Sequence, residues 1–396
     1  MRKVYLDNAS ATPLLPEVRQ AMLPFLGEHF GNPSCLHEWG DAAREGLESA
    51  RSQIADLIGV TDTEEIIFTS GGTESNNFAI KGLAMGQQAK GKHVVVSAVE
   101  HFSVLNSAQT LEKWGFEMTT VPVDRYGLVD PQEVKKAIRK DTILVSIMHA
   151  NTEIGTIEPI KEIAKITKPA GIVLHTDAVG TVGTLPLNVR DLGVDALSLA
   201  SNQFYGPKGA GAVWVRRGVR IIPLFDGGVQ EGGRRAGTEN VPAIVGMGKA
   251  AEIAKGAMAE RAQRLSALRD RLLTELPRKI ERVIVTGHPQ ERLPGHASFC
   301  VEFIEGEAMI MLLSSQGVAV TSGSACTSRA LKASHVLIAT GLTHAIAQGS
   351  LLLSLGVDNT AEDVDYVVEV LPPIVDRLRQ MSPLYDKYIK QTKGGR

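Results

Sequence analysis

The sequence predicts an α/β protein, with a mostly parallel sheet covered on both faces and a smaller α+β unit after it. Three observations support this. Short apolar runs alternate with helical patterns through the first two thirds of the chain, the rhythm of βαβ units. From about Gly256 that rhythm gives way to long amphipathic stretches and an apolar run alternating by twos. At 396 residues the chain is also long enough for two packed units, each with its own core.

Taken in order, residues 1–7 reach Asp7 before any apolar run develops, so no signal peptide is expected. Runs at 66–68, 93–97, 143–147, 171–175 and 211–215 read as buried strands, rich in Val, Ile and Leu as strands covered on both faces must be. Segments 75–85 and 159–168 suit crossover helices between the first four runs. Ligands of such sheets sit at the carboxyl ends of the strands. Further on, 257–276 reads as a charged amphipathic helix, 283–285 and 297–303 as strands, and 361–381 as a second amphipathic helix. The polar tail 387–396 is expected to fray.

Composition excludes several classes. With 42 basic and 44 acidic residues, net charge −2, no patch for nucleic acid or anionic lipid is expected. The apolar stretch 349–357 is far too short to span a bilayer, so no membrane partner and a cytoplasmic location are expected. Cys35, Cys300 and Cys326 are too few and too scattered for a disulfide framework or a self-contained four-cysteine metal site.

Several segments carry candidate chemistry. Ser70-Gly71-Gly72-Thr73-Glu74-Ser75 follows a strand and opens a helix, so backbone N–H groups and the Thr73 hydroxyl can meet a phosphate; a tight capped turn would use the same residues. Asp177, just past the run 171–175, could hold a protonated ring nitrogen or simply cap the next loop. His101, between a strand and a helix, could stack on a ring, act as acid and base, or be a buried structural histidine. Cys326 sits among small, hydroxyl-bearing residues in Thr321-Ser322-Gly323-Ser324-Ala325-Cys326-Thr327-Ser328, which suggests an exposed, mobile and reactive thiol.

These segments occur in a fixed order with Tyr5-Leu6-Asp7-Asn8-Ala9, Phe30-Gly31-Asn32-Pro33-Ser34, Glu100-His101, His175-Thr176-Asp177-Ala178, Tyr205-Gly206-Pro207-Lys208-Gly209, Arg235-Ala236-Gly237-Thr238-Glu239-Asn240 and Met381-Ser382-Pro383-Leu384-Tyr385. From about residue 4 to 388 the chain thereby resembles the group I cysteine desulfurases of iron–sulfur cluster assembly. These have the class V aminotransferase fold, of the pyridoxal-phosphate-transferase (fold type I) class. The resemblance implies a large domain at 12–255, and a small domain formed by 1–11 and 256–396 with a mobile cysteine loop at 321–333. It implies a homodimer and a pyridoxal phosphate held by Thr73, His101, Asp177 and Thr238, the last reaching the neighbouring subunit's site. It also implies a persulfide on Cys326, handed to an iron–sulfur scaffold protein that docks on the tail near Tyr385.

The chain departs from that family at the cofactor. The Schiff-base lysine position reads Gln203, which has no amine for an imine, and the histidine before it reads Asn202. Leu352 stands for the arginine that forks the substrate carboxylate, Thr152 for the substrate asparagine, and Gly180 for a glutamine near the cofactor hydroxyl. Ala200 and Asn202 also depart from the phosphate ligands. Lys208 belongs to the family's own turn, where it serves structure or phosphate, and is a poor substitute for the missing amine. In lacking the lysine the chain is similar to desulfurase-like proteins of archaea. Two readings follow. In one, the chain is a non-catalytic or impaired homologue in which Cys326 accepts persulfide or ligates a [2Fe-2S] cluster shared with the scaffold. In the other, it is an enzyme that holds pyridoxal phosphate non-covalently and acts slowly on L-cysteine or another small molecule, with Cys326 and His101 as catalytic groups.

Overall fold

A computed structural model describes residues 2–323 and 333–393. Among the described residues, twelve strands lie in three sheets. In chain order they are β1 (Val4–Tyr5), β2 (Ile66–Thr69), β3 (His93–Ser97), β4 (Glu117–Val121), β5 (Thr142–Ser146), β6 (Val173–Asp177), β7 (Ala196–Ala200), β8 (Gly211–Val215), β9 (Val283–Val285), β10 (His296–Val301), β11 (Val318–Ala319) and β12 (Ser350–Ser354). The large sheet has seven strands in the order β2-β8-β7-β6-β5-β3-β4. Only β8 runs against the rest, pairing antiparallel with both β2 and β7. The α/β class with a mostly parallel sheet is therefore correct.

All five strands expected in this sheet are present, and two more join them. β4 is an edge strand, Glu-Met-Thr-Thr-Val, with only Val121 buried, so it lacks the apolar run that marked the others. β7, Ala-Leu-Ser-Leu-Ala, is wholly buried but built of small residues, with Ser198 satisfied by His175 at 2.9 Å. One core, including Phe68, Val145, Leu174, Leu197 and Trp214, fills one face of the sheet. A second, including Phe78, Val94, Leu111 and Val213, fills the other.

A helix from Val241 to Lys279 crosses from the large sheet's core to a third core. Its first half places Ile244, Met247 and Ala251 against the large core, and its second half places Leu265, Leu272 and Leu276 against Phe299, Leu353 and Val367. The helix begins sixteen residues before the expected Ala257. Asn240 caps it, and its early glycines, which weaken the helical pattern in sequence, are there for packing. A Cβ on Gly248 would lie 2.6 Å from the Ala50 Cα, so the helix Glu38–Ile58 can approach only where residue 248 has no side chain. The expected boundary at 255/256 falls inside this helix.

The remainder forms a three-stranded antiparallel sheet in the order β12-β10-β9, plus a parallel pair of β1 with β11. The expected frayed tail is instead a helix, Pro383–Lys393, as far as the described residues run. Tyr388 stacks on Phe303 with ring centroids 4.9 Å apart, and Ser382 Oγ donates to the Phe303 carbonyl at 2.6 Å. Aromatic anchors hold a segment whose composition alone reads as loose. Among the described residues no helix is long and apolar enough to cross a membrane.

Candidate functional site

The carboxyl ends of β2, β3, β5, β6 and β7 converge on one cavity of about 460 Å³, within the usual size of a small-ligand site. Its lining includes Thr73, Asn76, His101, Asn151, Thr152, Asp177, Gly180, Gln203 and Leu352.

Asp177 is the last residue of β6 and is 4% exposed. Its Oδ2 accepts from Asn76 Nδ2 at 2.6 Å and its Oδ1 from the Val179 N–H at 2.9 Å. Burial raises its pKa, while those two hydrogen bonds and nearby His101 favour the carboxylate. Asn76 also donates to Ser103 Oγ at 2.9 Å, and its own Oδ1 is buried without a partner. Sequence reasoning missed Asn76. Its signal was the spacing: three residues after Thr73 on a helical segment, it shares Thr73's face.

His101 is exposed in the cavity mouth rather than a buried structural histidine. It caps the helix Phe102–Glu112, its Nδ1 accepting from the Ser103 N–H at 3.1 Å, which leaves the proton of the neutral ring on Nε2. Thr73, exposed at the start of the helix Gly72–Asn77, lines the same cavity.

Gln203 ends the turn Ser201–Gln203 after β7 and donates from Nε2 to the Ala9 carbonyl at 3.1 Å. Thr152 and Gly180 touch: a Cβ on residue 180 would meet Thr152 Cγ2 at 2.2 Å, so no side chain fits at 180 while Thr152 holds this rotamer. Leu352, 2% exposed on β12, presents an apolar wall. Among the described residues no lysine or arginine lines the cavity, and Lys208 is exposed outside it.

Two acidic residues unremarked as acids in the sequence also reach this wall. Glu100 Oε1 accepts from Ser97 Oγ at 2.6 Å and the Met148 N–H at 2.8 Å, while Oε2 is buried without a partner, and burial pushes its pKa up to about 8. Burial likewise pushes Glu153 up to about 7, beside Ser334.

Thr238 does not join this cavity within the chain. It is exposed and lines a separate hollow of about 110 Å³ with Ser70, Arg235 and Glu239. Cys326 lies outside the described residues. Of the two other cysteines, Cys300 is buried, and its thiol is pushed up to about 12 by burial and by Glu153. Cys35 is half-buried. A larger hollow of about 720 Å³ elsewhere is lined by Arg51, Glu64, Arg217 and Glu231, already joined in ion pairs, and by none of the expected site residues.

The cavity thus offers a buried carboxylate at a strand end, an imidazole at the mouth and a helix start, but no cation of its own among the described residues. Residues 4–367 match the family described as Aminotransferase class-V. The chain is 52% identical over 382 residues to a protein named cysteine desulfurase IscS from Dictyoglomus turgidum, covering 96% of this chain and 97% of that one. It is 52% identical over 386 residues to the cysteine desulfurase IscS of Methanosarcina thermophila, covering 98% and 95%. A solved structure described as a NifS-like protein superposes with a TM-score of 0.89 at 37% identity, over 95% of this chain and all of that one. The chain therefore belongs to the class V aminotransferase family, as a homologue of its cysteine desulfurases.

Proposed function

We propose that this protein works in iron–sulfur cluster assembly as a homodimeric partner of a scaffold protein, with its own desulfurase activity lost or impaired. Cys326 is its working residue, as persulfide acceptor or as a ligand of a cluster shared with the scaffold. One observation carries the loss of activity: among the described residues, neither lysine nor arginine lines the cavity that holds Asp177 and His101. Gln203 cannot anchor an aldehyde cofactor covalently, and Leu352 cannot fork a substrate carboxylate. The part of the chain that would act in assembly is untouched by that loss, since a cluster ligand needs only an accessible thiolate.

A second reading, a slow enzyme with non-covalently bound pyridoxal phosphate, is favoured by the Asp177 geometry. A buried carboxylate fixed by Asn76 suits a protonated ring nitrogen, and the cavity is large enough for the ring and phosphate. His101 would cover the ring and Thr73 would reach the phosphate, with Thr238 supplied across the proposed dimer. When bound, the cofactor supplies an electron sink; the chain's own groups would position it and keep its ring nitrogen protonated.

The test is Cys326→Ser with a scaffold protein under reducing, anaerobic conditions. Co-purification should persist, because docking uses the tail, while cluster yield or lifetime on the scaffold falls, serine being a poor iron ligand beside thiolate. A serine variant that supports clusters as well as the parent would overturn the proposal.

A further inference from the structure

A smaller cavity of about 50 Å³ lies behind the large one. Ala9, Thr152, Gly180 and Gln203 line both, so these four residues form the partition between them. The partition is thin: Gly180 has no side chain, the Thr152 methyl leans over it, and Gln203 closes the gap by its bond to Ala9.

Arg261, from the long helix Val241–Lys279, and His296, from the start of β10, stand on the far side. The Arg261 guanidinium lies 5.4 Å from the Tyr205 ring centroid, and among the described residues it makes no ion pair and its buried Nη1 has no hydrogen-bond partner. Both ring nitrogens of His296 are also buried without a hydrogen-bond partner among the described residues. Burial, with Arg292 and Arg269 nearby, pushes His296 down to about 4, a small opposing pull coming from the Thr152 backbone. The ring is therefore neutral at pH 7 and offers one N–H. Among the described residues no carboxylate lines the cavity, and Arg261 is its one charged side chain. Arg292, just beyond, spends its guanidinium on the carbonyls of His288, Ile154, His296 and Thr286, so it offers the cavity no free donor of its own. A buried guanidinium N–H facing no acceptor is unfavourable.

We propose that this compartment binds a compact carboxylate, gripped by Arg261 and His296 behind the Thr152–Gly180–Gln203 partition. Its volume gives room for about three or four water-sized groups, the heavy-atom count of formate or acetate. Water would satisfy the hydrogen bonds but not the charge; a carboxylate does both, since guanidinium and carboxylate match as a planar fork. The carboxylate grip that Leu352 cannot supply on one side of the pocket is thus supplied on the other, by residues remote from it in sequence. This inference depends on neither Cys326 nor a bound cofactor.

The test is calorimetric titration of sodium acetate into the full-length protein at pH 7 and constant ionic strength, with sodium chloride and glycine as separate arms. Acetate should saturate one site per chain with a Kd on the order of 1 mM, the scale for a four-atom ligand. Glycine should bind more weakly, because it adds a fifth heavy atom and an ammonium that would be desolvated in the compartment. Arg261→Leu should weaken acetate binding at least about tenfold with the thermal transition retained. If that variant does not fold, His296→Phe, which fills the cavity, should abolish binding instead. Acetate binding should be unchanged in Cys326→Ser, so failure here is separable from failure of the assembly role. Lack of acetate binding by the parent, equal binding by a folded variant, or chloride binding as tightly as acetate would each overturn the proposal.

Discussion

Replacing Glu100 by Gln should change how stability depends on pH. Glu100 is fully buried, with one carboxylate oxygen held by Ser97 and the Met148 N–H and the other facing no donor. Desolvation pushes its pKa from the ordinary 4.5 up to about 8. Between those values the folded protein keeps a proton that the unfolded chain has released. Folding therefore takes up a proton, and stability falls as pH rises, by about 1.4 kcal/mol per unit. Over pH 6.5 to 8 the loss from this one group is about 2 kcal/mol, and at pH 7 it amounts to roughly 3 kcal/mol relative to a permanently protonated carboxyl. Glutamine has the shape of that protonated carboxyl, so Glu100→Gln should remove this slope. The buried histidines do not confuse the measurement. His149 and His296 are pushed down to about 4 and His175 to about 3, so they stay neutral in the folded protein, and the cost of their protonation in the unfolded chain near pH 6.5 is the same in parent and variant. Glu153 and Glu158, also raised by burial, remain in both proteins, and the difference between parent and variant isolates Glu100. The assay is urea unfolding at half-unit steps from pH 6.5 to 8, comparing extrapolated stabilities. A parent-minus-variant difference that is flat across this range would refute the reasoning, because Glu100 would then ionise as it does in water.

Two further outcomes follow from the same structure. Arg51 and Glu231 form a buried two-pronged ion pair at 2.8 Å, with Glu231 also accepting from the Phe68 N–H, so Glu231→Gln should cost about 3–5 kcal/mol in urea unfolding; a loss under about 1 kcal/mol would mean that water reaches Arg51. Gln203→Lys should give a protein that borohydride fixes to pyridoxal phosphate at residue 203, yet L-cysteine turnover should stay near background because Leu352 and Thr152 still line the cavity; full turnover from that change alone would refute this account of the pocket.

The sequence by itself determined the parallel sheet and most of the site. Strands covered on both faces must be apolar throughout, so 93–97, 143–147 and 211–215 declare themselves locally. A parallel sheet brings its strands' carboxyl ends together, which is why Thr73, His101 and Asp177, each after an expected strand, share one pocket, whereas Gln203 follows a strand the apolar pattern does not show and is assigned by the family resemblance. What stayed hidden depended on partners distant in the chain. β7 reads as unremarkable small residues until His175 satisfies its serine. The long helix is expected to start only at 257, and its earlier glycines make sense once the helix Glu38–Ile58 packs against Gly248. The tail reads as loose until Phe303 stacks on it. Thr238 shares a motif with the site residues but, within one chain, faces another hollow. Arg261 and His296 sit in segments with no motif, and only tertiary packing brings them to the back wall of the pocket, with buried nitrogens that have no hydrogen-bond partner among the described residues. Local pattern records which residues are buried; what a buried polar group faces is fixed by contacts across the fold, and that is where this protein's particular chemistry was decided.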